Sequence, residues 1–471
     1  MSGRCLILMG VIWFVVIRVF KKDYATGIAL CVGLLVSLPD YLRVSFGSLP
    51  ELTIHRLLLV TMLMFWWFKR KTFQFQSPVP LKMLFLLLAA SQFLSLLFSI
   101  NIKGSIKSYF VFILEIFTYF VVITTSLQDR KSINKTIYGI ALGLAAVALI
   151  AGYERRSDIN LSEKWVYGYD LGLEDVMSSY PHRIVLGYAM AMAVPIILAV
   201  REREPRKWPR LILFGLMGLA AAGCYFANSR GPWFGLMAGT MPLVLLGSRE
   251  TKKIFVYMVL MGIVVVMLRP GVQQSLLERY YATFDKDTLK GQSYEYRWIL
   301  WHVAASEISK SPERLLFGYG GLSTEQMDLS RYFEKEAGGN TYLTGFTSWD
   351  NQLACDLIEL GFCGFLLEMV LFATALYKLI AIYRRSAPAD RNFVLAFFSA
   401  SAIYVYALSN VYIFSPQLKC LFWALVACGL RFGELVQAER LAAPVAQPAQ
   451  GGRLSPAGAS AQAGPIRSGA Q

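Results

Sequence analysis

Charged residues are scarce in this chain. Only 16% of its 471 residues are Asp, Glu, Lys or Arg, whereas soluble domains usually carry about 25%. Hydrophobic residues make up 56% and the mean hydropathy is +0.48, so much of the surface must face lipid. These values exclude soluble, fibrous and disordered proteins. The net charge of +15 does not predict a nucleic-acid partner, because in a membrane protein the distribution of Lys and Arg matters more than their sum.

Histidine and clustered cysteine are also lacking. The three histidines (His55, His182 and His302) lie far apart, and none of the seven cysteines belongs to a CxxC or Cys/His cluster. Neither a zinc site nor a disulfide framework is therefore indicated. Walker A, GxSxG and HExxH motifs are absent. The glycine run 318–321 lacks the spacing of a dinucleotide fingerprint and is interpreted as a turn, so we expect no metal and no cofactor.

Long apolar runs dominate the remaining sequence. A helix needs about 20 mostly apolar residues to cross the hydrocarbon core of a membrane. The first two runs are short, so we expect twelve or thirteen spans in an all-α polytopic membrane protein. The thirteen candidate runs are 5–18, 24–39, 52–68, 82–100, 108–126, 136–153, 184–200, 210–227, 232–247, 253–268, 351–380, 392–413 and 415–434.

Lys and Arg are concentrated in every second connection. By the positive-inside rule, these connections are cytoplasmic. They are 18–22, 69–82, 130–135, 201–210, 249–253 and 384–391. The alternate connections then face the other side. They are 40–51, 101–107, 154–183, 228–231 and 269–350. With thirteen spans, the N-terminus lies outside and the C-terminus inside.

These patterns divide the chain into four regions. Residues 1–268 hold transmembrane helices 1–10, residues 269–350 form a large, partly helical outer loop domain, and residues 351–436 return to the membrane. Residues 437–471 are rich in Ala, Pro, Gln and Gly, and such a segment cannot bury enough surface to fold. We expect this last region to be a disordered cytoplasmic tail.

The outer loop contains one amphipathic helix, over residues 295–309. Trp298, Trp301, Ala305 and Ile308 recur at helical spacing, which is typical of a helix lying near the membrane interface. Its aromatic residues are interpreted as a cap on the bundle.

Two arginines on the outer face form a candidate diphosphate clamp. Arg297 opens the amphipathic helix, and Arg230 lies between two apolar spans in NSRGPWFG. Ser229 and Gly231 beside it offer backbone donors near a helix start, and the guanidinium is a planar cation. That combination suits a phosphate oxyanion. Each arginine alone is better explained as structural, but together on one face they indicate diphosphate binding.

The segment 348–365, SWDNQLACDLIELGFCGF, offers a carboxylate at the water–membrane boundary. Ser348, Asp350 or Asn351 can cap the helix that follows. Asp350 can alternatively accept a proton from a sugar hydroxyl. Glu359 is either a second polar group in a cavity or a partner of an arginine. Four further residues are assigned only structural roles: Gly361 and Gly364 permit close helix contact, and Glu115 and Glu368, inside apolar spans, form ion pairs.

Four segments together resemble the O-antigen ligase and polysaccharide polymerase (Wzy-like) membrane glycosyltransferases. In order, they are SYPHRIVLGYAMAMAVPIIL (179–198), NSRGPWFG (228–235), YRWILWHVAASEISKSPERLLFGYGGLS (296–323) and SWDNQLACDLIELGFCG (348–364). The resemblance implies a multispanning inner-membrane enzyme that needs neither a sugar nucleotide nor a metal. It also implies transfer of a glycan from undecaprenyl diphosphate to an acceptor glycan hydroxyl at the periplasmic face.

The resemblance also assigns roles to residues. Arg230 matches the arginine of the SRG motif and Arg297 that of R-x-x-x-W, and both would bind the carrier diphosphate. With Asp350 they are the expected catalytic residues. The expected substrate-binding residues are Arg183, Ser229, Tyr296, Asn351 and Glu359. The partners implied are the lipid-linked oligosaccharide, the acceptor glycan, membrane lipid and other polysaccharide assembly proteins.

One departure from the ligase pattern decides between two activities. Lipopolysaccharide ligases typically have His before Asn at the start of the late helix, whereas this chain has Asp350-Asn351-Gln352-Leu353. The D-N form resembles polymerases that extend exopolysaccharide, capsule or O-antigen chains, so we predict a polymerase. A ligase acting on lipid A-core or protein is the alternative. A flippase of lipid-linked sugars is a third hypothesis, but the polar mass concentrated in one outer loop favours an enzyme.

Overall fold

Helices make up almost all of the ordered secondary structure. The computed structural model describes residues 2–39, 41–44, 51–73, 78–161, 176–284, 289–329, 332, 348–413 and 415–442. Within these ranges the strands are β1 (Arg43–Val44) and β2 (Leu52–Thr53), a short antiparallel pair. The helices are α1 (Ser2–Lys22), α2 (Tyr24–Ser37), α3 (Ile54–Lys69), α4 (Lys82–Leu97), α5 (Ile102–Val111), α6 (Tyr119–Ser126), α7 (Arg130–Ser157), α8 (Arg183–Arg203), α9 (Lys207–Phe226), α10 (Arg230–Leu246), α11 (Arg249–Leu268), α12 (Pro270–Phe284), α13 (Leu289–Ile308), α14 (Pro312–Phe317), α15 (Gln352–Arg385), α16 (Pro388–Leu408) and α17 (Pro416–Ala442). A π-helical turn, Phe112–Thr118, joins α5 to α6.

All thirteen predicted runs lie on helices, which confirms the all-α polytopic membrane fold. Among the described residues, nine helices are long and apolar enough to cross a membrane. The remaining four runs form α2, α3, α4 and α10, of 14, 16, 16 and 17 residues. At about 1.5 Å per residue these are shorter than the roughly 30 Å hydrocarbon core. By length and composition nine of the thirteen runs qualify as spans, and the crossing of the four shorter helices stays a prediction.

Connections of the Lys/Arg-rich class meet at one end of the bundle. Arg203 on α8 contacts Asp390 on α16 at 3.0 Å and Asn134 on α7 at 2.6 Å. Arg130 contacts Asp390 at 3.1 Å and Glu439 on α17 at 2.7 Å. Four helices are thus joined by one network, and its grouping agrees with the charge pattern.

Connections of the other class meet at the opposite end. The backbone N–H of Ile100 donates to Tyr319 O at 3.1 Å, and Asn101 Nδ2 donates to Leu322 O at 3.2 Å. The segment 318–322 therefore docks on the start of α5. The two ends follow the predicted alternation, while the membrane side that each end faces stays a prediction.

Helix α15 is kinked where the glycine run docks. Gly361 has φ +66° inside the helix. The backbone N–H groups of Tyr319 and Gly320 donate to Ile358 O at 2.9 Å and Glu359 O at 3.0 Å. The run 318–321 is therefore a turn, as interpreted, and it donates to carbonyls that the kink frees from the helix.

Two sequence expectations need correction. Helix α13 buries Tyr296, Leu300 and Val303, whereas Trp298 is 56% exposed and Ala305 is exposed. Ile308 is buried and Trp301 packs against the same cluster, so the packed face shares only part of the predicted stripe, because α13 packs on α15 and the loop before it. Helix α17 continues to Ala442, so residues 437–442, placed in the disordered tail, are helical. The rest of the predicted tail, 443–471, lies outside the described residues.

Candidate active site

Arg230 begins helix α10 at a tight turn. Asn228 has a left-handed backbone with φ 51°, and Ser229 precedes the helix in an extended conformation without capping it through its side chain. The turn packs closely on α8, because a Cβ added at Gly187 would lie 2.5 Å from Pro232 Cγ. Because the Ser229 side chain does not cap the helix, backbone N–H groups of the first helical turn can donate to an anion. Helix N-termini commonly bind anions in this way.

Arg297 reaches the same place from helix α13. Its Nε donates to Asn410 O at 3.1 Å, which fixes the side chain against the connection between α16 and α17. The two arginines are close enough to interact electrostatically, and both are partly buried. Like charges held together repel one another, and an anion between them would relieve that repulsion. Because each guanidinium offers a planar fork of donors, the pair suits a diphosphate.

Two tyrosines that sequence reasoning missed lie beside the arginine pair. Tyr188 on α8 and Tyr406 on α16 interact electrostatically with Arg297, and their ring centroids are 6.3 Å apart. The Tyr188 hydroxyl is buried without a hydrogen-bond partner among the described residues. A Cβ added at Gly231 would lie 2.6 Å from that hydroxyl. Tyr188 thus offers an unused donor beside the turn. The sequence feature that could have identified it is its position inside the motif at 179–198.

Tyr296 connects helix α13 to the loop before α15. It is buried, and its hydroxyl donates to the carbonyl oxygen of Ser348. Burial raises the pKa of Tyr296, and the nearby carboxylate of Asp350 raises it further. The hydroxyl therefore stays protonated at neutral pH and remains a donor. Through this contact Asp350 lies close to the residue that precedes Arg297.

The residue that caps helix α15 is Asn351. Its Oδ1 accepts the backbone N–H of Ala354 at 3.2 Å, and the side chain is buried. Asp350 instead is partly exposed, and its Oδ1 accepts the Ser348 hydroxyl at 3.1 Å. Of the three capping candidates, Asn351 fills the role. The carboxylate of Asp350 is therefore available for other chemistry.

Glu359 lies apart from this arrangement, whereas Arg183 is four residues before Gly187, which packs on the Arg230 turn. Arg183 is the first residue of α8. The preceding residue, His182, caps the helix, because its Nδ1 accepts the Ile184 N–H at 3.3 Å. Glu359 lies on α15 and accepts the Thr324 hydroxyl at 2.5 Å. It lines a separate cavity, which fits the first of its two predicted alternatives. Glu115 pairs with Arg56 at 3.6 Å.

The structure thus brings Arg230, Arg297, Tyr296 and Asp350 to one end of the bundle, with Ser229 and Asn351 beside them. Within the described ranges, His, Cys, Asp and Glu side chains form no group of three or more placed to hold a metal ion. What the site offers is an anion-binding pair of arginines with a partly exposed carboxylate nearby.

Comparison with protein families gives a match over the same region. Residues 215–369 match the Wzy_C family model, described as O-antigen ligase. This segment contains Arg230, Arg297 and Asp350 but not Arg183. No curated protein matches the chain. The resemblance predicted from the motifs is confirmed, and it implies a glycosyltransferase-like enzyme that acts on a lipid-linked glycan and an acceptor. Over residues 215–369, this multi-pass membrane protein is therefore similar to the O-antigen ligase family.

Proposed function

We propose that this protein is a polysaccharide polymerase. It transfers a growing glycan from undecaprenyl diphosphate to the sugar hydroxyl of an acceptor glycan. The reaction takes place at the periplasmic face of the bacterial inner membrane, where residues 269–350 form the outer loop domain. The observation that carries the proposal is the proximity of Arg230 and Arg297, with Asp350 beside Tyr296.

Each group has a defined part in the transfer. The bond between the anomeric carbon and the diphosphate oxygen breaks, and a bond from that carbon to the acceptor oxygen forms. Arg230 and Arg297 neutralise the charge that develops on the leaving diphosphate. Asp350 accepts the proton of the acceptor hydroxyl as general base. Tyr188 donates its unused hydroxyl to a phosphate oxygen, while Arg183, Ser229 and Asn351 complete the surroundings of the substrate.

Ligation to lipid A-core or protein is the second candidate, favoured by the family's description. It uses the same donor chemistry and differs in the acceptor. The sequence Asp350-Asn351, in place of His-Asn, supports the polymerase.

Purified protein in liposomes, supplied with the lipid-linked repeat, tests the proposal. A polymerase produces a ladder of lipid-linked chains that grows by whole repeats and releases undecaprenyl diphosphate. Transfer only after lipid A-core is added would replace the polymerase with a ligase. Movement of the lipid-linked repeat across the bilayer without any new glycosidic bond would overturn both and support a flippase.

A further inference from the structure

A cavity of about 930 Å³ is separate from the arginine pair and is lined by neither arginine. Its mouth is at the end of the bundle where the glycine run docks, next to Arg43 and Glu51, whose side chains are 52% and 44% exposed. Its interior reaches Phe372 and Trp423 between α15 and α17. The volume is in the range of cavities that hold small organic ligands.

Asp356 is the deep polar group whose hydrogen bonding is incomplete. It is 8% exposed and lines the cavity. Its Oδ1 accepts from Gln352 Nε2 at 2.8 Å, but its Oδ2 has no donor among the described residues. Glu368 Oε2 is buried in the same condition, and the two carboxyl groups are placed to form a side-chain hydrogen bond that shares one proton. One shared proton and the Gln352 amide leave acceptor positions of this pair unused, so a ligand that brings hydroxyl donors would add hydrogen bonds there.

The charged groups that line the deep part of the cavity determine which ligands it can bind. Near the mouth, Arg43 pairs with Glu51 at 2.9 Å, and Arg56 pairs with Glu115 at 3.6 Å. The deep part holds three carboxyl groups, those of Asp356, Glu359 and Glu368, together with one ammonium group, that of Lys419. An anion such as a diphosphate is repelled there.

The remaining lining suits a sugar ring. Carboxylate oxygens accept from hydroxyl groups, and the Gln92 and Gln352 amides both donate and accept. Phe112, Phe372 and Trp423 supply apolar surfaces against which the C–H faces of a sugar can pack.

We propose that this cavity binds an uncharged saccharide unit of the acceptor glycan. That the saccharide belongs to the acceptor rests on the proposed function. That the cavity binds a saccharide does not depend on it. Helix α15 links the two places, because Asp350 precedes its first turn and Asp356 lies about 9 Å farther along the axis at about 1.5 Å per residue. The diphosphate of the donor binds at the arginine pair, and the acceptor chain is held in the acidic cavity farther along this helix.

Direct binding tests the proposal with the full-length protein in nanodiscs. The probes are neutral oligosaccharides from partial hydrolysis of the polysaccharide made by cells that carry the enzyme, and inorganic diphosphate for comparison. Saturation-transfer NMR gives Kd for the oligosaccharides. We expect Asp356→Asn and Glu359→Gln each to weaken oligosaccharide binding by about tenfold or more, because a charged acceptor becomes a neutral amide. Glu250→Gln is the matched control, since Glu250 is exposed at the Lys/Arg-rich end, and it should leave Kd unchanged.

A stability measurement separates binding from folding. Because the Asn amide can donate to Glu368 in place of the shared proton, Asp356→Asn should leave Tm unchanged or raise it. A lower Tm with unchanged Kd would make Asp356 a structural residue and overturn the proposal, as would absence of oligosaccharide binding to the wild type. Arg297→Lys should keep oligosaccharide binding. If Arg297→Lys also retains full polymerisation, the proposed diphosphate site fails while the saccharide cavity stands.

Discussion

The buried side chain of Asn351 accepts the backbone N–H of Ala354, while Asp350, one residue earlier, bonds only locally to the Ser348 hydroxyl. Neighbouring positions thus divide two tasks that the sequence left open. Asn351 begins the helix and Asp350 keeps its carboxylate at the boundary of the bundle. The division makes the roles of these residues separable by mutation.

Asp350→Asn should lower polymer formed per folded enzyme by about 100-fold or more, because it removes the proton acceptor and keeps the shape. Asn351→Ala should instead cost about 0.5–2 kcal/mol of stability through loss of the cap, and so reduce the amount of folded protein. Both are measured by turnover normalised to the monodisperse fraction. Near-normal turnover of Asp350→Asn would remove Asp350 as the base. Asp350→His should retain part of the activity, since His also serves as a base near neutral pH.

Arg230→Lys and Arg297→Lys should each lose far more activity than their unchanged charge suggests, because Lys lacks the planar bidentate fork. Arg249→Lys is the matched control. Arg249 also begins an apolar helix, at the opposite end, and is exposed. Polymer output at equal expression is the measurement. An arginine whose Lys variant matches the control is not part of a diphosphate clamp.

Tyr188→Phe should reduce activity by about tenfold without loss of stability. Its hydroxyl is buried with no hydrogen-bond partner among the described residues, so its removal takes nothing from the folded state. Thermal unfolding and turnover are measured on the same preparation. A fall in Tm with normal turnover would show that the hydroxyl serves folding rather than the substrate.

Gly318→Ala should destabilise the docked turn. Gly318 has φ +70°, and a Cβ there would lie 2.4 Å from Ile358 O. With ψ −155° this conformation is essentially restricted to glycine and costs another residue about 1–3 kcal/mol, and the clash adds to it. Gly271→Ala is the control, because a Cβ at that position meets nothing within 4 Å. Equal Tm for the two variants would contradict the importance of the turn.

Cysteine labelling of spheroplasts tests the topology. Glu313→Cys and Lys207→Cys place thiols at exposed positions near opposite ends of the bundle. The native background is low, since six cysteines are buried and Cys363 is intermediate. An impermeant maleimide should label Glu313→Cys in intact spheroplasts and Lys207→Cys only after permeabilisation. Labelling of Lys207→Cys in intact spheroplasts would reverse the orientation and move the site to the cytoplasm.

The sequence by itself determined the helices, their grouping by charge and the arginine pair. Apolar runs form helices because helices satisfy their own backbone in lipid, and every predicted run lies on a helix. The alternation of Lys and Arg predicted which connections share an end, as the contacts of Arg203 with Asn134 and Asp390 bear out. Arg230 and Arg297 were predicted as a pair because they lie in the SRG and R-x-x-x-W motifs.

Tertiary structure decided everything that depends on contacts between distant segments. The choice of Asn351 as cap depends on the backbone conformation before α15, and the face of α13 depends on its packing against that helix. Tyr188 on α8 and Asn410 in the connection after α16 come near Arg297 from distant parts of the chain, so the sequence around Arg297 does not mark them. The acidic cavity likewise forms only where α4, α15 and α17 pack together, because the hydrogen bonds and burial of Asp356 are properties of that packing and not of the sequence around it.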